Sequence, residues 1–176
     1  MESSKKKDSP LDRLDNLFLD FGRIMAWANG LLILVIVLQV LLRYGFNNGL
    51  VVLEEIEWHL YSLALMFGLS YAVVKNSHIR VDLISNRFPE KVRHWIEVLG
   101  TLFLMLPFTV AIIIHGYQFF LDSWIHSERS VAPMGLPWRW AIKAVIPISF
   151  VFFGTAIFLR MTRSLLFLFG NRHGNQ

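Results

Sequence analysis

Four long stretches without a charged residue alternate with short polar segments along the chain. In chain order, they are Ile24–Leu42, Trp58–Val74, Val98–Leu121 and Ala144–Leu159. A helix needs about 20 predominantly apolar residues to cross the hydrocarbon core of a bilayer. Two of the stretches reach that length, and two fall slightly short of it. The pattern predicts an all-α integral membrane protein with four transmembrane helices.

Two further helices are expected at the membrane surface. Before the first stretch, apolar residues recur at helical spacing among charged ones, at Leu11, Leu14, Leu17, Phe18 and Phe21. This periodicity predicts an amphipathic helix that lies along the cytoplasmic face of the membrane. Pro89 favours a second surface helix before the third stretch, because proline suits the first position of a helix.

These elements form one small membrane domain over residues 1–176. The predicted limits are a cytoplasmic tail with its amphipathic helix (1–23), a first span (about 24–43), a second span (about 56–75), a cytoplasmic loop and surface helix (76–96), a third span (about 97–121), a periplasmic loop (122–136), a fourth span (about 138–160) and a cytoplasmic tail (161–176).

Positive charge is shared unequally between the two sides of this topology. Of the 17 Lys and Arg residues, 13 fall in the two tails and the middle loop, and 4 fall on the opposite side. Those four are Arg43, Arg129, Arg139 and Lys143. Loops on the cytoplasmic side retain Lys and Arg, so both termini are predicted to be cytoplasmic. The same split explains the pI near 9.6 without a nucleic-acid partner.

The composition supports a membrane protein and restricts its chemistry. Hydrophobic residues make up 55% of the chain, and the mean hydropathy is +0.49. The chain has no cysteine, which removes disulfides, thiolate catalysis and cysteine-ligated metals. It also lacks the short motifs of metalloproteases, serine hydrolases and nucleotide-binding loops. The sequence therefore predicts no enzyme and no catalytic, cofactor-binding or metal-binding residue.

Small residues recur every four positions in the first two spans. They are Gly22, Ala26 and Gly30 in the first, and Ala64, Gly68 and Ala72 in the second. Small residues allow helices to approach closely in lipid. The spans are therefore expected to pack against each other in their cytoplasmic halves.

Three polar side chains lie near the outer ends of the first three spans: Gln39, His59 and His115. One interpretation is a shared hydrogen-bonded layer that joins the three helices. The alternative is a bis-histidine haem site, as in a cytochrome-b-like membrane anchor of a redox complex, with His59 and His115 as axial ligands. That site needs both rings at matched depth, and His115 is expected to lie more than a turn deeper.

An acidic cluster precedes the second span, at Glu54, Glu55 and Glu57, close in sequence to Arg43. It is consistent with an ion-pair cluster that fixes a short hairpin, or with a docking surface for a periplasmic partner. Both interpretations stay open from the sequence.

Several landmarks resemble the small permease subunit (DctQ-like) of tripartite ATP-independent periplasmic (TRAP) transporters. They cover about residues 10–165 and comprise Leu42-Arg43-Tyr44, Glu54-Glu55, the run from Ala64 to Ala72, His78-Ile79-Arg80-Val81-Asp82-Leu83, Ser127-Glu128-Arg129-Ser130, Gly135-Leu136-Pro137 and Ile146-Pro147. Each motif is degenerate, but their order and spacing together are specific.

The resemblance implies a four-span subunit of the bacterial inner membrane with both termini inside. It implies a separate large multi-span permease subunit that carries the substrate and ion sites, with sodium as the expected coupling ion. It also implies a periplasmic solute-binding protein that delivers an organic acid. The small subunit is then a non-catalytic scaffold. The candidate positions for partner docking or assembly are Arg43, Glu54, Glu55, Gly68, His78, Arg80, Asp82, Arg129 and Gly135.

Overall fold

The computed structural model describes residues 10–75 and 88–170, and every regular element in these two ranges is helical. The helices are α1 (Pro10–Gly45), α2 (Val51–Val74), α3 (Glu90–Gly100), α4 (Leu106–Ile125) and α5 (Arg139–Gly170). A π-helical turn, Thr101–Met105, joins α3 to α4 without a break. The all-α prediction is confirmed for this part of the chain.

Three of the continuous helices are long and apolar enough to cross a membrane. They are Arg13–Gly45, Glu90–Ile125 and Arg139–Phe169. Helix α2 is shorter, at 24 residues, and its first nine positions carry three glutamates and His59, which lower its hydropathy. A fourth span therefore remains a prediction, as do the membrane limits of every span.

Two predicted boundaries differ from the helices themselves. The amphipathic segment from Pro10 onward and the first apolar stretch belong to the single helix α1, and where this helix enters the membrane stays a prediction. Helix α5 continues to Gly170, past the predicted end of the fourth span at residue 160. In both places no proline interrupts the backbone hydrogen bonds, and a single glycine such as Gly22 costs a helix only about 1 kcal/mol.

Pro107 lies two residues after the end of the π-helical turn at Met105. A proline has no N–H to donate and its ring crowds the preceding turn, and one extra residue in the turn is a common way to absorb this. The N–H of Leu106 accordingly donates to the carbonyl oxygen of Thr101, five residues earlier. The third predicted span and its surface helix are thus one helix, with a local irregularity where proline requires it.

The long helices form a single layer rather than a closed bundle. Helix α1 packs on α2, α2 on α5, and α5 on α4, while α3 packs against α5. Helix α1 also meets α5 near its start, where the rings of Phe18 and Phe21 contact Phe152. In the apolar segment of 18 residues within α1, 6% of the residues are buried, compared with 39% in the corresponding segment of α5. The edge helix α1 therefore buries one narrow face, and the central helix α5 buries most. The core is small and consists of Val73, Phe150, Phe153, Ala156 and Ile157.

The contact face of α1 follows a regular spacing of three and four residues. Its less exposed positions include Phe18, Phe21, Met25, Ala28, Leu32, Val35, Gln39 and Leu42. This spacing averages 3.5 residues and keeps one stripe of the helix against its neighbour. Positions four residues apart instead rotate by about 40° per step away from such a stripe.

That rotation explains why the two glycines of α1 differ, since the predicted close packing of α1 on α2 is found at Gly22 and not at Gly30. A methyl group placed on Gly22 would lie 2.9 Å from Cγ of Tyr71, so α1 and α2 do approach closely there. Gly30 meets only Trp27 of its own helix, and Gly68 has no atom within 4 Å of the methyl position. Neither Gly30 nor Gly68 lies in the α1–α2 contact.

Candidate functional site: an outer loop clasp and an inner polar junction

Glu55 ties the loop between α4 and α5 to the start of α2. Its carboxylate accepts a hydrogen bond from the hydroxyl of Ser130 and another from the N–H of Leu136 at 2.5 Å. Within the loop, the N–H of Ser130 donates to the carbonyl oxygen of Leu136 at 3.2 Å. We call Glu55, Ser130, Gly135 and Leu136 the outer clasp, where outer and inner refer to the sides that the charge distribution predicts. It joins residues 81 positions apart in the chain.

Gly135 is part of the outer clasp because a side chain would not fit there. A methyl group at this position would lie 2.5 Å from Oγ of Ser130 and 2.6 Å from Oε1 of Glu55. The next residue back, Met134, has a φ of 64°, a conformation that residues other than glycine rarely adopt. The loop is therefore held in one tight conformation around the carboxylate.

A second carboxylate fixes the other end of the same loop. Glu128 forms ion pairs with Lys143 and with Nε of Arg139, the latter at 3.6 Å. The hydrogen bond from Lys143 holds the pKa of Glu128 below its ordinary value. In the outer clasp, the hydrogen bond from Ser130, followed by that from the N–H of Leu136, likewise lowers the pKa of Glu55. Both groups are therefore acceptor-only carboxylates at neutral pH.

Glu54 points to a different neighbour from Glu55. It forms an ion pair with Arg43 at 3.3 Å and accepts a hydrogen bond from Nε2 of Gln39 at 3.2 Å. These contacts join the end of α1 to the start of α2, as the ion-pair interpretation of the acidic cluster expects. Both acidic residues of the pair thus have partners inside the chain, and a docking role stays a prediction.

The predicted layer of Gln39, His59 and His115 is not formed. Gln39 bonds to Glu54, while Nδ1 of His59 lies 2.5 Å from the carbonyl oxygen of Glu55 in its own helix. His115 is exposed on α4, which does not pack against α1 or α2. The flat order of the helices separates these side chains. For the same reason, His59 and His115 are not arranged as facing axial ligands.

A second polar cluster lies at the opposite end of the layer, and the sequence reasoning missed it. Arg160 of α5 forms an ion pair with Glu97 of α3 and donates to the carbonyl oxygen of Val73 in α2 at 3.2 Å. One turn further along α5, Arg163 forms an ion pair with Asp15 of α1.

His94 of α3 completes this cluster. Its Nδ1 lies 3.1 Å from Oγ of Ser164, and its ring packs on Phe167 with 4.3 Å between the ring centroids and a tilt of 34°. We call these contacts the inner junction. It surrounds a cavity of about 360 Å³ and brings α1, α2, α3 and α5 together. A sequence signal did exist: opposite charges stand at the matching ends of the third and fourth apolar stretches.

The remaining candidate positions contribute less to either cluster. Arg129 is exposed in the outer loop, beside Glu128 but outside the outer clasp. Gly68 faces open space on α2. His78, Arg80 and Asp82 lie outside the described residues. Of the nine candidates, the structure therefore brings two into the outer clasp and pairs two more at the α1–α2 turn.

Long apolar helices in one layer, with their polar contacts gathered at its two ends, define a helical membrane protein. The chain also matches the family model described as "Tripartite ATP-independent periplasmic transporters, DctQ component" over residues 32–167. It therefore belongs to this family and is an inner-membrane transport protein.

Two relatives from Haemophilus influenzae support this membership. A "Putative TRAP transporter small permease protein" of strain Rd is 25% identical over 139 residues, which are 79% of this chain and 83% of that protein. The "Sialic acid TRAP transporter permease protein SiaT" of strain 86-028NP is 27% identical over 136 residues. Those residues are 74% of this chain but 22% of that longer protein, so the chain spans about a fifth of this relative.

Proposed function

We propose that this chain is the small, non-catalytic scaffold subunit of a TRAP transporter. In this role it assembles with a large ion-coupled permease subunit and receives a periplasmic solute-binding protein. The complex takes up an organic acid, and a carboxylic acid is the expected class. The chain spans the membrane four times, with both termini in the cytoplasm, as the distribution of Lys and Arg favours.

The single-layer packing of the helices is the observation that carries this proposal. In this arrangement many large apolar side chains of the long helices are not covered by the chain itself. Only 6% of the residues in the apolar segment of α1 are buried, so the rest of the chain covers little of this edge helix. In the described residues, the ion pairs lie at the ends of the layer and are satisfied within the chain. Such a layer is suited to brace another membrane protein.

The longer relative supports a large partner. In SiaT, the region similar to this chain makes up 22% of a single polypeptide, which means that most of that permease lies in additional sequence. We infer that the corresponding part is supplied to this chain by a separate subunit. The substrate that the relative's name gives, sialic acid, is a carboxylic acid and agrees with the proposed substrate class.

Outer-side residues are proposed to serve docking through the loop that they hold. Glu55 is occupied by Ser130 and Leu136, so its contribution would be to position the loop rather than to contact a partner directly. Arg129 is an exposed charge within this loop and the better candidate for direct contact. Gly68, on an open face of α2, is a candidate for contact with the large subunit.

The proposal is tested by purifying the tagged chain from membranes of its native cell. We expect a large multi-span permease to copurify in constant ratio, and uptake in proteoliposomes to require this chain, that permease and the binding protein together. Transport at an undiminished rate by the other two components alone would overturn the scaffold role. An absorption spectrum with a haem Soret band from the purified chain would instead favour the redox anchor.

A further inference from the structure

The loop between α4 and α5 presents the two most exposed large apolar side chains in the described part of the molecule. They are Val131, with 87% of its surface exposed, and Met134, with 90%. The nine residues from 130 to 138 contain no charged side chain. A large exposed apolar feature of this kind marks a surface that meets either another protein or a membrane.

This apolar tip is held rigidly. The N–H of Gly135 donates to the carbonyl oxygen of Ala132 at 3.0 Å, and the N–H of Ala132 donates to Oγ of Ser130 at 3.2 Å. The outer clasp then fixes both ends of the segment to Glu55. Met134 keeps a φ of 64° within this framework. The N–H groups of Ser130, Ala132, Gly135 and Leu136 are thus bonded within the chain, and Pro133 has none, which lowers the cost of moving the loop out of bulk water.

The loop lies beside the helix layer rather than above it. Its contact on α2 is Glu55, one turn inside the helix, and the cavity under the loop extends along α2 from Glu55 to Ser62. Seven residues of helix correspond to about 10 Å along the axis. The cavity has a volume of about 240 Å³ and reaches Ile142 of α5 on its other side. The loop therefore overhangs one face of the layer at the depth of the outer helix ends.

The neighbours of the tip mark that depth as the membrane–water boundary. Trp58 and Trp138 flank the loop and are 69% and 64% exposed. Tryptophan is enriched at membrane interfaces, where its ring lies among the headgroups. Within the loop, the charged residues Glu128, Arg129 and Arg139 stand at its ends. The carboxylate of Glu55 lies at the base of the tip, where Ser130 and the N–H of Leu136 bond to it, so the tip itself carries no charged side chain.

We propose that the side chains of Val131 and Met134 insert into the outer leaflet of the bilayer as an interfacial anchor. The tip belongs to an uncharged segment that ends at the exposed Trp138, whereas the docking proposed above falls to Arg129 at the charged end of the loop. Lipid is therefore the occupant that the surroundings favour. The anchor holds the outer end of the layer at a set depth, and it acts whether or not a second subunit is present.

The absence of cysteine allows a direct test with the full chain in lipid nanodiscs. Met134→Cys is labelled with an environment-sensitive fluorophore, and Arg129→Cys, at the charged end of the same loop, is the matched control. In nanodiscs we expect the label at position 134 to emit at shorter wavelength, to be quenched by nitroxide-labelled lipid and to resist aqueous iodide. Iodide quenching should be several-fold stronger at position 129.

A second variant separates insertion from a general effect of folding. Adding Glu55→Ala to Met134→Cys releases the outer clasp, and iodide should then reach the label while the helix content by circular dichroism stays unchanged. Iodide access at position 134 equal to that at position 129 in the otherwise unchanged chain would overturn the proposal. Protection that arises only after a large permease or a binding protein is added would overturn it as well and would identify a protein as the occupant.

Discussion

At the scale of single residues, the outer clasp depends on Glu55 and Gly135, which lie far apart in the sequence. Glu55 supplies the acceptors, and Gly135 leaves the space that lets Ser130 reach them. Glu55 and Gly135 were both candidates from the sequence, but nothing in the sequence related one to the other. Their contact crosses from α2 to a loop that follows α4, and only the folded layer brings these segments together.

Gly135→Ala is expected to destabilise the protein. The added methyl group would overlap with Ser130 and Glu55, so the loop must move and the clasp hydrogen bonds weaken, at a cost of about 1–3 kcal/mol. The measurement is the thermal unfolding midpoint in detergent. Gly68→Ala is the control, because its methyl group meets no atom within 4 Å and should leave the midpoint unchanged or slightly raised. Equal midpoints for the two variants would count against the outer clasp.

Stability should also depend on pH through Glu55. Its pKa is lowered from the ordinary value of 4.5 by the hydrogen bonds from Ser130 and Leu136. A lowered pKa in the folded state contributes stability above pH 4.5, and this contribution is lost as the pH falls through the folded-state pKa. The difference in unfolding midpoint between the unchanged chain and Glu55→Gln should therefore be largest near neutral pH and shrink in acid. If the difference in midpoint stayed constant from neutral to acid pH, the charge of Glu55 would not be the source of the stability.

At the scale of the helices, periodicity identified the elements but not the faces that they bury. Gly22 and Gly30 occupy equivalent places in a four-residue repeat, yet only Gly22 touches Tyr71. The contact stripe of α1 follows an average of 3.5 residues, so a four-residue repeat leaves it within two steps. The rotation of α1 about its own axis therefore decides which glycine contacts α2, and the packing of α1 on α2 sets this rotation.

Gly22→Leu should loosen the contact between α1 and α2, whereas Gly30→Leu should not. The larger side chain at position 22 must displace Tyr71, and overpacking of this kind typically costs about 1–3 kcal/mol. The unfolding midpoint in detergent measures this cost. Both substitutions put the same side chain in the same helix, so a similar loss at position 30 would show that lipid exposure, rather than helix contact, controls the effect.

At the scale of the whole molecule, the two polar clusters hold a layer that has only a small apolar core. The inner junction joins four helices through Arg160 and Arg163, whose ion-pair partners lie 63 and 148 positions away in the chain. At the other end, the outer clasp joins α2 to the loop between α4 and α5. The Asp15–Arg163 pair and the rings of Phe18 and Phe21 on Phe152 also link α1 directly to α5, so contacts at the ends contribute to the rigidity of the layer.

Arg160→Met is expected to destabilise the assembled layer. The substitution removes the ion pair with Glu97 and the hydrogen bond to the carbonyl oxygen of Val73. Methionine keeps most of the apolar part of the arginine side chain. Breaking a buried ion pair costs about 3–5 kcal/mol, and partial exposure reduces this to roughly 1–3 kcal/mol. Arg23→Met is the control, because its pair with Asp20 is exposed and should contribute little. Equal unfolding midpoints for the two variants would remove the inner junction as a stabilising site.

The sequence by itself determined the helical class, the family resemblance and the expected orientation. These depend on local periodicity, on the count of charges in each loop and on short motifs, all of which can be read along one dimension. The tertiary structure alone decided that the helices form a layer, that Glu55 clasps a distant loop, that Arg160 joins three helices and that His59 and His115 stay apart. These are contacts between residues far apart in the chain, and they depend on how each helix is rotated and on which neighbour it meets.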